Sequence, residues 1–355
     1  MNPKEQNPCQ VWPQEGLEDL EACPVCEDPR RELLYRGMTD RVFFCAPGQW
    51  TLWHCPGCGC AYLNPRPTEK TISLAYRRYY THDISPGPVI PGFYSRLKQA
   101  IKNDYLCAHY GAESRPRLPL GRFLPYLLGP AYPRELGTWV RHLERPMKDA
   151  VCLDVGCGNG GFFDVAHACG WRLHGLEPDP RAASAARWRG MTVYESALPR
   201  TGLRDETYDA VTMSHVIEHL HDPVSALQEV RRILKPGGTL WIGTPNVESI
   251  GHRRFGVNWR GLEPPRHLVL FSGASLAEAL DRAGFGPVVA LPVSLRPSWM
   301  FAPSHCIAAG RDPNGSASRI PQRIRWLAVS AALRTWLSPA RGEELLVLAR
   351  KPTQP

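Results

Sequence analysis

Three glycines separated by single residues, Gly156, Gly158 and Gly160, follow an apolar run that begins at residue 151. Without Cβ atoms, the backbone at these positions can turn sharply and approach a ligand closely, as binding of a nucleotide-like cofactor requires. Gly161 completes a G-x-G-x-x-G pattern, so the glycines taken alone fit a nicotinamide or flavin cofactor as well.

An acidic residue just before the glycines narrows this choice. The carboxylate of Asp154 would repel a pyrophosphate, but it suits a cofactor with an ammonium, a sulfonium and no phosphate, and that cofactor is S-adenosylmethionine. Glu177 ends a second apolar segment, where its carboxylate can accept hydrogen bonds from both hydroxyls of a ribose. The alternative interpretation is an ordinary turn after a buried strand, with acids at the surface.

Four cysteines near the N-terminus form two C-x-x-C pairs: Cys23 with Cys26, and Cys55 with Cys58. Each pair can direct two thiolates at one point, and two pairs complete a tetrahedral zinc site that has no open position and is therefore structural. Cys60 and His54 lie near enough in the sequence to replace one of these ligands. A site that has lost its metal, or cysteines that merely pack, are the alternatives.

Transfer of a methyl group from a sulfonium is an in-line displacement, so it needs an aligned acceptor and, for a hydroxyl or an activated carbon, a base. Histidine has a suitable unperturbed pKa, and the candidate catalytic residues are His215, His219 and His267. The first two are four residues apart, which places them on one face if the segment is helical. Arg260 and Arg266 precede His267 and would suit an anionic acceptor, or they serve only loop packing.

The segment from His215 to His219 reads His-x-x-Glu-His and allows three interpretations. One class of zinc protease carries the same letters, but in a context that differs from a cofactor fold. A divalent metal could be bound by His215, Glu218 and His219. Alternatively, Glu218 and His219 orient the cofactor pocket and cap the helix that follows.

The elements that position these residues are predicted from apolar segments, which alternate from residue 150 as in a doubly wound α/β sheet. We expect strands at 150–155, 171–176, 191–194, 208–213, 239–243, 286–292 and 345–349, and helices at 159–168, 180–188, 223–234 and 273–283. The segment 235–238, Lys-Pro-Gly-Gly, predicts the end of the third helix, because glycine and proline terminate helical turns.

The remaining chain divides by composition. We predict a flexible N-terminal arm at 1–20, a zinc ribbon at 21–67, a helical connector or lid at 68–148, and a cofactor-binding domain at 149–355 with an insertion at 293–342. Ribbon strands are expected at 33–35 and 50–53, and further helices at 68–76 and 93–110.

Five motifs follow one another along the chain: Asp154–Gly160, Glu177–Asp179, Tyr208–Val211, His215–Pro223 and Leu234–Gly238. With these motifs the chain resembles the class I S-adenosylmethionine-dependent methyltransferases over residues 150–292 and 343–350. The resemblance implies a seven-stranded Rossmann-like α/β sheet whose last strand runs antiparallel. It also implies a cofactor at the carboxyl ends of the first four strands.

By this resemblance, Asp154 and the glycine loop would hold the methionine part of S-adenosylmethionine, and Glu177 would hold its ribose. The other residues implied for the cofactor pocket are Pro178, Ser196, Ala197, Ser214 and His215. Ser196 and Ala197 stand where the family usually has an aspartate near the adenine. The hydroxyl of Ser196 is therefore expected to take the hydrogen bond of the adenine amino group.

The turn Leu63–Pro67 and the segment Pro265–Ser272 resemble those of a bacterial branch of the family that carries an N-terminal zinc ribbon. Members of that branch act in cell-surface glycan, deoxysugar, lipid and secondary-metabolite pathways, and related enzymes methylate ubiquinone precursors. The resemblance implies methyl transfer to oxygen or carbon of a small molecule or of a glycan or lipid precursor. The related ubiquinone-pathway enzymes use a Glu-x-x-Glu-His metal cluster, and His215 stands where their first Glu stands.

The chain has 355 residues, of which 43% are hydrophobic and 21% charged, and its formal net charge is +8. The excess of lysine and arginine lies in residues 85–148 and 293–355, and it fits nucleic acid, a membrane surface, an anionic substrate or simply solvated arginines. Because the ribbon mixes arginines with acids, and no Asn/Asp-Pro-Pro-Tyr motif occurs, we do not expect a nucleic-acid partner.

The insertion contains an apolar segment at 320–337 with three arginines and two tryptophans. This segment could lie on a membrane or cover a lipid-like substrate, or it could pack on the protein or on the second subunit of a homo-oligomer. The N-terminus is polar, and no stretch approaches ~18 uninterrupted apolar residues, so we expect a cytoplasmic location and reduced thiols.

Two rival functions remain open. One is a non-catalytic binding protein with a partner-recognising zinc ribbon and a degenerate cofactor fold, and the other is an RNA methyltransferase. Binding of S-adenosylmethionine would exclude the first, and steeply salt-dependent retention on heparin would favour the second.

Overall fold

The computed structural model describes residues 11–76, 93–127, 129, 131–315 and 321–353. The chain forms two compact units: one comprises Met1–Tyr79, His215–Gln228 and Gly243–Leu346, and the other comprises Tyr80–Ser214, Glu229–Ile242 and Val347–Pro355. Across the described ranges, none of the helices combines the length and apolarity needed to cross a membrane.

The regular elements of these ranges are short. The strands are β1 (Leu17–Glu18), β2 (Glu32–Met38), β3 (Trp50–His54), β4 (Ala61–Leu63), β5 (Arg66–Pro67), β6 (Val151–Val155), β7 (Arg172–Leu176), β8 (Thr192–Tyr194), β9 (Tyr208–Ser214), β10 (Leu234–Pro245), β11 (Val269–Leu270), β12 (Val289–Ala290) and β13 (Glu344–Arg350). The α-helices are α1 (Phe93–Tyr110), α2 (Leu124–Leu127), α3 (Ala131–Trp139), α4 (Phe163–Ala168), α5 (Pro180–Trp188), α6 (Pro223–Ile233), α7 (Ile250–Phe255), α8 (Gly273–Arg282), α9 (Ser298–Ala308) and α10 (Gln322–Leu337).

The larger sheet has seven strands in the order β12-β13-β10-β9-β6-β7-β8. Strand β6 pairs in parallel with β7 and with β9, and β7 pairs in parallel with β8. Strand β13 runs antiparallel to β10, because the amide of Asn246 donates to Glu343 at one end and that of Gly237 donates to Lys351 at the other. The mixed α/β class and the seven-stranded, mainly parallel sheet are therefore confirmed.

Two boundaries in this sheet differ from the prediction because of local backbone geometry. Helix α4 begins at Phe163 instead of 159, since Gly158 and Gly160 have φ angles of 54° and 78°, which an α-helix does not allow. Strand β10 begins at Leu234, directly after α6, since the amide of Gly237 bonds to Lys351. The Lys-Pro-Gly-Gly segment thus ends the helix as predicted but belongs to the next strand.

The strand predicted at 286–292 is reduced to Val289–Ala290, and both residues are exposed. Pro287 and Pro292 flank it, and proline has no amide hydrogen for a strand ladder. Composition alone overestimated this strand because it did not weigh the two prolines.

Helix α5 of the second unit packs through small residues. Ala182, Ala183 and Ala186 are buried, and a Cβ at Gly160 would come within 3.2 Å of Ala186, so the glycine loop and the helix lie in close contact. The side chain of Asp179 caps the helix by accepting a hydrogen bond of 2.8 Å from the amide of Arg181. This cap fixes the start of α5, directly after the segment that follows β7.

The first unit contains a second sheet, in the order β11-β4-β3-β2, with all neighbours antiparallel. The strands predicted at 33–35 and 50–53 are present as β2 and β3. The fourth strand, β11, comes from the Pro265–Ser272 segment, so the region predicted as a ribbon at 21–67 is completed by residues far along the chain.

The flexible arm predicted at 1–20 lies partly outside the described residues, since residues 1–10 are not described. Its second half is not loose: β1 pairs antiparallel with β5, and Trp12 is buried against Trp50 with ring centroids 5.2 Å apart. Between 68 and 76 the chain forms a 3-10 helix, Ile72–Tyr76, in place of the predicted α-helix. Helix α1 spans 93–110 as expected.

A buried ion pair joins the second sheet's loops to the segment before β11. Arg266 Nη2 lies 2.6 Å from Asp40 Oδ1, and both side chains are fully excluded from solvent. Asp40 also accepts hydrogen bonds from the backbone amides of residues 42, 43, 45 and 46. Burial by itself would raise the pKa of Asp40, but Arg266 and these amides outweigh it and hold the pKa below its usual range.

We predict that Asp40→Ala lowers the free energy of unfolding by about 3–5 kcal/mol, because it removes the closer carboxylate partner of the buried Arg266 guanidinium and leaves it only Glu263, 3.5 Å from Nε. Urea unfolding followed by circular dichroism measures this loss. The stabilisation from Asp40 should be complete above its unfolded-state pKa of about 4 and should decline as the pH falls below it.

The matched control is Glu195→Gln, which removes an ion pair with Arg187 that is roughly half exposed. This change should cost less than about 1 kcal/mol. If both variants were equally stable, the buried pair would not be a structural requirement.

Candidate active site

The glycine loop directly follows β6. The amide of Gly156 donates to Leu176 on β7 over 2.8 Å, and Gly156, Gly158 and Gly160 all have positive φ angles of 54–78°. A Cβ at Gly158 would meet no atom within 4 Å, so this turn borders open space. A loop without a Cβ at the position that borders this space fits the close approach of a cofactor.

Glu177 lies at the end of β7 and touches the loop. Its Oε2 accepts a hydrogen bond of 2.9 Å from the amide of Gly158, and its Oε1 accepts one of 3.0 Å from the amide of Asp179. Each carboxylate oxygen has a second lone pair. Glu177 is therefore held beside the glycine turn and can still accept hydrogen bonds from a diol.

Asp154 has a partner that sequence reasoning missed. It is 2% exposed, forms an ion pair with Arg141, and accepts a hydrogen bond of 3.1 Å from Thr212. The Arg141 guanidinium lies 3.8 Å from the centre of the Phe162 ring and 2.6 Å from Thr212 Oγ1. Asp154 was predicted to hold the methionine part of the cofactor together with the glycine loop. In the structure its carboxylate is paired with the Arg141 guanidinium, so both charges lie at this position.

The other residues predicted for the cofactor pocket lie at ends of elements in the same unit. Pro178 follows Glu177, and Ser214 ends β9. The hydroxyl of Ser196 donates to the carbonyl of Arg200 over 2.9 Å, and Ala197 is exposed. Since its hydrogen is engaged, Ser196 can act toward an amino group only as an acceptor, which is the role predicted for it.

His215 belongs to the first unit and has a positive φ of 53°. Its Nε2 lies 2.9 Å from Glu344 Oε1, and its Nδ1 lies 3.3 Å from Glu218 Oε1. The side chain is 40% exposed; partial loss of solvent opposes a charge on the ring, but the hydrogen bonds with the two carboxylates prevail and raise the pKa of His215 to about 10. An imidazolium has no free lone pair, which argues against His215 as a general base.

Glu218 and His219 lie on a 3-10 helix, Ile217–His219, which His215 precedes. The condition under which His215 and His219 would share a helical face, a helix that includes both residues, is therefore not met. Instead, the fold brings together Glu218, His219 and His267, whose potential ligand atoms all lie within 4.8 Å of one another. We call these three residues the histidine cluster.

The two histidines of the cluster are oriented by backbone carbonyls. His219 Nδ1 lies 2.9 Å from the carbonyl oxygen of Arg266, and His267 Nδ1 lies 2.7 Å from that of Gly261. A carbonyl can only accept, so each Nδ1 carries a hydrogen, and in a neutral ring Nε2 is then the nitrogen with the lone pair. Burial is the main cause that lowers the pKa of His267 to about 4, so this ring is neutral at physiological pH.

Glu218 completes the cluster as a fully buried carboxylate. Its Oε2 accepts a hydrogen bond of 2.9 Å from Thr244 Oγ1. Burial alone would raise the pKa of Glu218, but His215 overcomes this effect and the pKa is lowered to about 2. A charged carboxylate beside two imidazole lone pairs can serve a proton transfer, and it is also a donor set that suits a divalent cation.

The arginines considered for an anionic acceptor are engaged in the protein. Arg260 forms an ion pair with Glu263, and Arg266 is buried against Asp40. The structure therefore favours the packing interpretation for both residues.

The four cysteines of the two C-x-x-C pairs converge: the Sγ atoms of Cys23, Cys26, Cys55 and Cys58 lie within 4.8 Å of one another. Cys60 is a fifth thiol of this group, with its Sγ 3.4 Å from that of Cys23. His54 instead lies 3.5 Å from Glu32, between Nδ1 and Oε2. Four thiols converging on one point are the donor set of a closed zinc site.

Comparison with known proteins assigns the central part of the chain. Residues 122–290 match the family model of a methyltransferase domain. A probable S-adenosylmethionine-dependent methyltransferase of Mycolicibacterium smegmatis is 32% identical over 136 residues, which cover 38% of this chain and 51% of that protein. A ubiquinone biosynthesis O-methyltransferase of Histophilus somni is 31% identical over 119 residues, which cover 30% of this chain and 50% of that protein.

The chain thus spans about half the length of the curated relatives that it matches. A solved structure from Thermotoga maritima, described as a S-adenosylmethionine-dependent methyltransferase and possible histamine N-methyltransferase, is 24% identical. It covers 64% of this chain and 92% of its own, with a TM-score of 0.40. The family match and the two relatives together support an S-adenosylmethionine-dependent methyltransferase domain over residues 122–290.

Proposed function

We propose that this protein transfers the methyl group of S-adenosylmethionine to an oxygen or carbon atom of a small molecule or of a glycan or lipid precursor. The observation that carries the proposal is the carboxylate of Glu177 bonded to the amide of Gly158, beside a turn that borders open space. The relative named as a ubiquinone biosynthesis O-methyltransferase supports oxygen as the acceptor atom.

The residues of the second unit fit the charges of this cofactor. The ribose would bind Glu177, and the amides of the glycine loop would approach the ligand closely. The methionine part carries an ammonium and a carboxylate, and the joined pair of Asp154 and Arg141 offers one opposite charge for each. When bound, the cofactor supplies a methyl group activated by a sulfonium.

The histidine cluster of the first unit has the chemistry of a general base. His267 and His219 each present an Nε2 lone pair that can remove a proton from a hydroxyl or an activated carbon, while Glu218 supports the positive charge that forms. The same three residues could instead hold a divalent cation that binds the acceptor oxygen. The general-base and the metal-site hypotheses can be distinguished by measuring the metal content of the protein.

The cysteine group would hold a structural zinc ion through Cys23, Cys26, Cys55 and Cys58. Its support is the convergence of four Sγ atoms. A closed tetrathiolate site has no open position, so it would stabilise the first unit without touching the reaction.

For the cofactor, we predict that Glu177→Ala weakens binding of S-adenosylmethionine by about 1–3 kcal/mol, because it removes hydrogen bonds to the ribose and to the glycine loop. Calorimetric titration with S-adenosylmethionine and S-adenosylhomocysteine measures the effect, with NADH as the ligand control. Glu177→Gln, which keeps one oxygen acceptor, should bind S-adenosylmethionine with an affinity between those of the native chain and Glu177→Ala. Unchanged affinity in Glu177→Ala would refute the ribose assignment, and no binding by the native chain would favour a non-catalytic protein.

For the reaction, His267→Ala and His219→Ala should each lower turnover about 10²–10⁴-fold while leaving cofactor affinity intact, since general bases contribute on this scale. Turnover is followed as release of S-adenosylhomocysteine with phenolic, sugar-nucleotide and lipid-linked acceptors. Mass spectrometry of metals before and after treatment with EDTA distinguishes base from metal site. Full turnover in both variants would exclude the cluster from the chemistry.

For the zinc ion, Cys26→Ser should lose bound zinc and lower the thermal stability of the chain, because metal binding contributes to folding. Cys306→Ser is the matched control, since this half-buried cysteine lies outside the group. Affinity for S-adenosylmethionine should survive in both variants. If the native protein contained no zinc when purified without chelators, the structural metal would be ruled out.

A further inference from the structure

One face of helix α10 is apolar and open to solvent. Its members are Trp326, Val329, Leu333, Trp336 and Leu337, with 66%, 60%, 57%, 49% and 72% of their surfaces exposed. Their spacing of three and four residues puts them in a single stripe along the helix. We call these five residues the tryptophan stripe.

The opposite side of α10 attaches the helix to the first unit. Ile324, Ala331 and Thr335 are the buried residues of the helix. At 100° per residue, they lie about half a turn from the tryptophan stripe. The helix therefore packs on the protein through these buried residues, and the tryptophan stripe faces solvent. Large apolar side chains are thus exposed as one continuous patch instead of singly.

Arginines border the stripe on both sides. Arg323 and Arg334 flank one edge and Arg325 the other, and all three are exposed. The helix contains no aspartate or glutamate, and the sequence has none between Asp312 and Glu343. The surface thus combines an apolar centre with cationic edges.

The apolar centre and cationic edges favour an anionic lipid surface over a second copy of the chain as the partner of the tryptophan stripe. A second copy packed symmetrically on the same face would bring two sets of arginines together without any acid to neutralise them. An anionic lipid surface offers phosphates to the arginines and an apolar layer to the stripe. Trp326 and Trp336, roughly 15 Å apart along the axis, are side chains that favour the lipid–water interface.

We propose that α10 is a membrane-surface helix that binds anionic phospholipid through the tryptophan stripe and its bordering arginines. The helix lies in the plane of the interface, with Leu333 in the acyl region and the arginines at the phosphates. This inference goes beyond the proposed methyl transfer and does not depend on it, because binding to vesicles needs neither cofactor nor acceptor.

The test is sedimentation of the full chain with vesicles of phosphatidylglycerol and phosphatidylcholine, compared with vesicles of phosphatidylcholine alone. We expect binding to the anionic vesicles that weakens with salt, and little binding to the neutral ones. Arg323→Gln combined with Arg334→Gln should weaken binding on the order of 30-fold, since each arginine near such a surface contributes about fivefold. Leu333→Asp should abolish binding.

The control is Trp188→Asp, which changes a tryptophan that is 87% exposed on another helix and should leave binding unchanged. Circular dichroism and S-adenosylmethionine titration verify that each variant is folded, and the double arginine variant alters only exposed side chains. Quenching of tryptophan fluorescence by brominated acyl chains should disappear in Trp326→Phe combined with Trp336→Phe.

Three results would overturn the proposal: equal binding to neutral and anionic vesicles, equal loss in Trp188→Asp and Leu333→Asp, or no vesicle binding by the native chain. Self-association abolished by Leu333→Asp, with no vesicle binding, would identify a second copy as the partner. Capture of an acidic protein in place of vesicles would likewise contradict the lipid assignment.

Discussion

The buried ion pair of Arg266 and Asp40 is the constraint on which the arrangement of the first unit depends. Neither charge has access to water, and Asp40 is the closer of the two carboxylates, Asp40 and Glu263, that pair with Arg266. The pair fixes Arg266, whose carbonyl orients His219, and it fixes the neighbouring residue His267. An aspartate 226 residues earlier in the chain thus determines where the histidine cluster lies.

Neighbouring charges and hydrogen-bond partners then determine which histidines in and beside that cluster can act as a base. His215 is surrounded by Glu218 and Glu344, so it is held as a cation and serves the carboxylates. The rings of His219 and His267 donate through Nδ1 to backbone carbonyls instead, and burial lowers the pKa of His267 and keeps that ring neutral. Three histidines of similar appearance in the sequence therefore differ in chemistry because of their neighbours.

What the sequence could predict was local. The glycine turn and the position of Glu177 at the end of β7 follow from spacing within a few residues, and the structure places them as that spacing indicates. Arg141 could not be found, because nothing near it in the sequence marks an arginine that folds back onto Asp154. The roles of Arg260 and Arg266 could not be predicted either. A sequence does not distinguish an arginine that forms an ion pair within the protein from one that binds a substrate.

Strand β11 has a consequence for the modularity of the chain. The cysteine-containing sheet takes its last strand from Val269–Leu270, and Ser272 just beyond donates to the carbonyl of Cys58 over 3.4 Å. A gene fragment that ends after residue 67 would encode a sheet whose strand β4 has an unpaired edge. A fragment that begins at residue 149 would encode β11 without its partner β4. The cysteine-containing sheet therefore depends on residues from both regions, and it could not be transferred to another protein without Val269–Leu270.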